Sequence, residues 1–465
     1  MADPGAPTPA TAPRVLCWPS PTGTIVASAA WVVAWLPSLL PLGTLLQGVA
    51  CGLLAAIGYA LGATAAATAR VLARQPRGPA RRWYRYASIA VAATALFAGW
   101  PLSGGLRVQA AQLGAPQLAA NAAMATVIGL LFAGVLVLVG RLLRSASRRL
   151  ARPIQRALHR RTTAGTTPPT RGALVLGAVA TALSVALVVG LGLWATAKVF
   201  DRIDASTADQ SPPAAATRSG STESLIPFDS LGREGRTFVT QGAPASTIRS
   251  FAGLNSADSA GQRADLAVRD MLRAGGAQAD VWIGITTTGN GQIDPVAAQT
   301  AEDATGGRAA LVAIQYSTLP SWLSFLVDQN AAREAGVALY DSLAAAREGL
   351  PTQNRPKLIL YGESLGAYGS PAPFAGLEPA QVASRIDGAL WVGPPASTDP
   401  ITQWTYAGQQ PVWQPIVGGG RTARYAASEG ATAQPPGDGG WPTPRILVLQ
   451  NPTDPVVWFT PGLIA

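Results

Sequence analysis

Five residues of this chain have the types and spacing of a serine nucleophile. They are Gly362-Glu363-Ser364-Leu365-Gly366, and they follow the apolar run Leu358-Ile359-Leu360-Tyr361 directly. A strand, then G-x-S-x-G, then a helix start makes a sharp turn that imposes unusual backbone angles on the serine and lifts its hydroxyl above a sheet. Glycines two residues to either side let neighbouring backbone approach where a Cβ would clash. The chemistry this predicts is acyl transfer: the hydroxyl attacks a carbonyl carbon, and amide groups at the helix N-terminus hold the anion that develops.

An unassisted hydroxyl is a weak nucleophile, so partners are needed. The Leu365 N–H is the expected first oxyanion donor. The loop Thr286-Thr287-Thr288-Gly289-Asn290-Gly291 suits backbone donation, with Thr288 the best single candidate, and it reads equally well as a simple turn. For the acid, Asp454 in Asn451-Pro452-Thr453-Asp454-Pro455-Val456 leads and Asp399 is the alternative. Carboxylates at strand ends also form turns, so type and place alone do not decide. The base is the missing part. The chain has one histidine, His159, set among arginines in its first half. With no other histidine and no cysteine in the second half, a metal site is not expected there, and no organic cofactor is indicated.

The elements that must position these residues are legible from about residue 235 onward. Val281 to Ile285, Leu311 to Tyr316, Leu358 to Tyr361, Gly388 to Val392 and Ile446 to Leu449 are strand candidates. Helix-like segments at 262–274, 295–303, 321–348 and 378–385 lie between them. Continuous apolar strands alternating with helices predict a mostly parallel sheet covered on both faces, an α/β domain. Ligands in such sheets bind beyond the strands' carboxyl ends, where Ser364, Asp454 and the 286–291 loop all fall. A long segment, 394–444, carries Trp404, Tyr406, Trp413 and Trp441. It reads as a cap whose aromatics either meet acyl chains or a membrane interface, or pack it onto the sheet.

The first half is different in kind. Residues 1–200 hold 18 of the 35 Lys and Arg but one acid, Asp3, for a charge of +17, and the remainder carries −7. Charge-free stretches at 15–69, 86–106, 108–140 and 172–197 are long enough for five spanning helices, about 22–40, 44–68, 86–104, 119–140 and 173–197. The basic residues cluster between spans two and three (Arg70 to Arg85) and between spans four and five (Arg141 to Arg161), a positive-inside pattern rather than a nucleic-acid surface. It puts the N-terminus and His159 in the cytoplasm, and everything after Lys198 outside. No charge falls inside a span, which argues against an ion path. Residues 204–222, small, polar and Pro-containing, read as a flexible tether within a linker, 201–234, between a transmembrane domain, 1–200, and the α/β domain, 235–465.

Several motifs together resemble a family of membrane-anchored α/β-hydrolases from actinobacteria. They are Thr288-Gly289-Asn290-Gly291, Gln315-Tyr316-Ser317-Thr318-Leu319-Pro320-Ser321-Trp322, the Ser364 pentapeptide, Asp387 to Pro395, and Asn451 to Pro455. The resemblance implies an α/β-hydrolase fold after an all-α membrane bundle, a Ser364 nucleophile, an Asp454-type acid and a histidine further downstream. The sequence ends before such a histidine. Either it stops short of the triad base, or the domain lacks a triad and is not a hydrolase. The function expected is ester hydrolysis outside the cytoplasm, on a substrate such as a cell-envelope lipid, at the lipid bilayer and without nucleic acid. An acyltransferase and a non-catalytic envelope scaffold are the alternatives.

Overall fold

The computed structural model describes residues 19–36, 43–72, 82–112, 120–161, 190, 197–206, 210–242, 246–409, 411–427, 430–431, 437, 439–452 and 454–458. The chain divides into two compact units, Met1–Val189 and Gly190–Ala465.

The first unit contains four described helices: α1 (Pro21–Val33), α2 (Thr44–Leu72), α3 (Arg82–Gln112) and α4 (Ala122–Arg161). Three segments are long and apolar enough to cross a membrane: Thr44–Ala69, Arg82–Val108 and Ala122–Arg141. They match three of the five expected spans and suggest membrane insertion. Large apolar side chains such as Phe97, Trp100 and Leu131 stand exposed on them, as lipid-facing positions require. Where the first span was expected, α1 is a short apolar helix of 13 residues. The expected fifth span lies almost wholly outside the described residues.

Small residues let these helices touch. Gly48 and Gly52 of α2 face α4, where a Cβ on Gly48 would stand 2.8 Å from Ala125 O. Gly58 and Gly62 face α1, where a Cβ on Gly62 would stand 2.8 Å from Thr22 O. One helix thus presents two pairs of glycines at i, i+4 spacing to two neighbours, a spacing that lets helix backbones approach closely.

The second unit is built on a seven-stranded sheet in the order β1-β3-β2-β4-β5-β7-β6. The strands are β1 (Ile248–Ala252), β2 (Val281–Thr286), β3 (Ala309–Ile314), β4 (Lys357–Glu363), β5 (Gly388–Val392), β6 (Ala423–Ala426) and β7 (Arg445–Leu449). Every pairing is parallel. Helices such as Ala260–Arg273 and Gln329–Glu348 cover it, and β3 is buried at every position. This is the α/β-hydrolase-like arrangement expected, with all five predicted strands present.

Three details differ from the sequence reading. The helix expected over 321–348 is two helices, Ser321–Val327 and Gln329–Glu348, because Asp328 leaves helical geometry (φ −155°, ψ 76°) and its side chain caps the second by accepting from Ala331 N at 3.2 Å. The 394–444 segment is a crossover rather than a free cap: it contributes a helix, Ile401–Ala407, and the edge strand β6. Within it, Trp404 is buried against Trp391, and Trp441 lies beside the guanidinium groups of Arg424 and Arg445, while Tyr406 and Trp413 are exposed.

The third difference concerns residues 201–234. Their described part is packed, not a loose tether. Buried Asp270 gathers this segment by accepting from Ser219 Oγ (2.6 Å), Ser224 Oγ (3.0 Å) and Leu225 N (2.8 Å), with Arg273 Nε at 2.8 Å completing its shell. The small hydroxyl residues that suggest flexibility by composition are the ones that satisfy a buried carboxylate.

Candidate active site

β4 ends at Glu363, and a short helix, Leu365–Gly369, starts two residues later. Ser364 joins them with φ 52° and ψ −118°. Among the described residues it is the only non-glycine with positive φ. Such a conformation costs about 1–3 kcal/mol, and the surroundings must hold it. They do so at both ends. Ser364 N donates to Val392 O at 2.8 Å, tying the turn to the end of β5, and Ser364 O accepts from Tyr368 N at 3.2 Å.

The two flanking glycines are needed for contact, not for their angles. A Cβ on Gly362 would collide with the Gly366 backbone, and one on Gly366 with Thr286 O at the end of β2. The turn is therefore pressed between its own helix and the neighbouring strand exit. Ser364 is half-buried. Leu365 opens the helix, and a first-turn amide has no intrahelical acceptor.

Asp454 lies past β7, just before the short helix Pro455–Trp458. Its Oδ1 accepts from Val456 N at 2.9 Å. Its Oδ2 is turned toward Gly393, where a Cβ would stand 3.7 Å away. Gly393 directly follows Val392, the residue that holds Ser364 N. The serine at the exit of β4 and the carboxylate past the exit of β7 thus flank the exit of β5, which is hydrogen-bonded to both strands. Asp399 sits in the loop after β5 with Oδ1 buried and unpartnered among the described residues. Thr288 N donates to Gln292 O at 3.0 Å, so this amide already has an acceptor within its own turn. His159 belongs to α4 in the other unit.

Sequence reasoning missed an acidic neighbour of the nucleophile. Glu363, half-buried, accepts from Tyr361 Oη at 3.3 Å. Burial, and then the Asp294 carboxylate, push its carboxyl above the ordinary range, while the Tyr361 hydrogen bond pulls it back. Burial first, with the negative charges of Glu363 and Asp294 after it, also pushes the Tyr361 phenol up. Asp294 itself caps the helix Pro295–Ala304 by accepting from Ala297 N at 2.7 Å. The signals available were the Glu inside the pentapeptide and an Asp-Pro helix start. No group of three or more His, Cys, Asp or Glu among the described residues could hold a metal ion.

A parallel sheet with a strained serine between strand and helix at its carboxyl edge defines the α/β-hydrolase class. Comparison with known proteins agrees and narrows it. Residues 248–465 match an alpha/beta-hydrolase family, and residues 36–243 match the N-terminus of an alpha/beta-hydrolase family. No match was found among curated proteins or among solved structures.

Proposed function

We propose that this chain is a membrane-anchored serine hydrolase that cleaves an ester outside the cytoplasm, with Ser364 as nucleophile. The observation that carries the reading is the backbone of Ser364, held at φ 52° at the mouth of a parallel sheet. A strained conformation that no packing need explains points to function.

In this mechanism Ser364 Oγ attacks the ester carbonyl carbon while a base takes its proton. The Leu365 N–H receives the oxyanion, and collapse of the tetrahedral intermediate expels the alcohol, which leaves with that proton. Water then attacks the acyl-enzyme by the same route in reverse and frees the acid. Asp454 orients the base. In the chain order of this fold the histidine follows the acid. Thr288 serves as second oxyanion donor only by exchanging its Gln292 partner, a small rearrangement of one turn.

The direct test is labelling of the full-length protein with a fluorophosphonate, comparing wild type with Ser364→Ala. Labelling that depends on Ser364 is expected. Equal labelling of both proteins, or none of either, rejects the catalytic reading.

A further inference from the structure

The charge-free stretch 172–197 runs straight into a helix covering 197–205, and that helix belongs to the same compact unit as the sheet. It is firmly attached. Buried Asp204 accepts from Gln315 Nε2 at 3.1 Å and from Arg233 N at 3.3 Å. Asp201 accepts from Thr318 Oγ1 at 2.9 Å. Buried Arg236 caps the helix end by donating to the carbonyls of Asp204 (3.0 Å) and Ser206 (2.8 Å).

The attachment point is the carboxyl edge of the sheet. Gln315 is the first residue past β3. Its amide also reaches Asn290 O (3.1 Å) beyond β2 and Ser317 O (3.0 Å), and its carbonyl oxygen accepts from Leu254 N (3.2 Å) beyond β1. One buried glutamine joins the helix to three strand exits. Ile314 and Gly362 both lie opposite Thr286 in register, so Gln315 and Ser364 share one edge, two strand spacings or about 10 Å apart. The same edge collects exposed apolar side chains. Val199, Ile203, Val296, Val327, Trp413 and Val456 are 41–70% exposed; Val296, Val327 and Val456 lie on segments that follow β2, β3 and β7, and Trp413 follows Val412, whose carbonyl accepts from Gln450 Nε2 just past β7.

From this we infer that the 197–206 clasp holds the Ser364 edge of the sheet against the surface of the bilayer the chain enters, and that the substrate is an acyl ester resident in that leaflet. The charge-free stretch that ends at residue 197 meets one end of the clasp, and the strand exits meet the other. Exposed apolar groups around a hydrolytic mouth are costly in water and favourable in the headgroup zone. The substrate class rests on the hydrolase reading of Ser364, and the placement does not.

The test uses the full chain in vesicles of phosphatidylcholine and phosphatidylglycerol. Cys17→Ser and Cys51→Ala remove the native thiols. Single cysteines at Val296→Cys or Val327→Cys, on the carboxyl edge, are compared with Gln353→Cys on the opposite edge, each carrying an environment-sensitive dye. Headgroup-nitroxide lipids should quench the two carboxyl-edge sites about threefold more strongly, since an interfacial face sits within the headgroup layer. Asp204→Ala should abolish that difference. Equal quenching at both edges, or stronger quenching at Gln353→Cys, overturns the placement. A difference that survives Asp204→Ala overturns the clasp. Strong edge-specific quenching without Ser364 labelling upholds the placement and rejects the ester substrate.

Discussion

At the scale of single residues, Ser364 and Glu363 carry opposite burdens. Ser364 is strained by its backbone, and Glu363 by its charge. Because burial raises the Glu363 carboxyl, this group contributes stability while protonated, below its unfolded pKa, and loses it as pH rises through the folded value. Glu363→Gln should therefore match wild type below about pH 4 and exceed it near neutrality, by at most about 1 kcal/mol because the site is half open to solvent. Urea unfolding of the two proteins across that pH range checks the sign. A variant less stable at neutral pH would show that the Tyr361 contact outweighs the burial. The pentapeptide was readable because its requirements are local: a tight turn, two contacts that exclude a Cβ, and a helix start. The Glu363–Asp294 proximity was not, because it depends on a helix cap met 69 positions earlier in the chain.

Among elements, the strands that the sequence revealed and those it hid differ in one respect. Apolar runs such as Leu358 to Tyr361 announce a buried strand. β1 and β6 each carry an arginine, and both arginines are buried. Arg249 survives burial by pairing with Glu302 at 2.6 Å and donating to Phe238 O at 2.8 Å. Arg424 donates to the carbonyls of Gly420 (2.7 Å) and Gly439 (2.6 Å). Pairing across long separations is invisible to a pattern of hydropathy. The same holds for the segment anchored by Asp270. Asp270→Ala would remove the acceptor of Ser224 Oγ and Leu225 N and one partner each of Ser219 Oγ and Arg273, and should cost about 2–4 kcal/mol. Hydrogen exchange should then quicken at Ser219 to Leu225 while β2 to β5 stay protected. Uniform loss of protection would show that this segment is integral to the sheet's cooperativity rather than strapped onto it.

On the scale of the whole molecule, charge asymmetry predicts orientation. Two arginine-rich segments inside, the second of them the end of α4, and a mildly acidic domain outside are what the positive-inside rule predicts. A membrane-impermeant maleimide applied to intact cells should label Gln353→Cys and spare Arg77→Cys, in a background without Cys17 and Cys51. The reverse pattern would place Ser364 in the cytoplasm and remove the envelope ester from consideration. The membrane unit was legible through its length and lack of charge, whereas the glycine pairs of α2 became meaningful only with α1 and α4 beside them.

The Asp204–Gln315 hydrogen bond spans 111 positions, and β1 pairs with β3 rather than with β2. A ribosome must therefore finish the first edge of the sheet before its start can dock. At about 5–20 residues per second, that interval is roughly 6–20 s. Throughout it the newborn segment from 197 onward waits with its edge open. A chaperone that binds open sheet edges has that long to act.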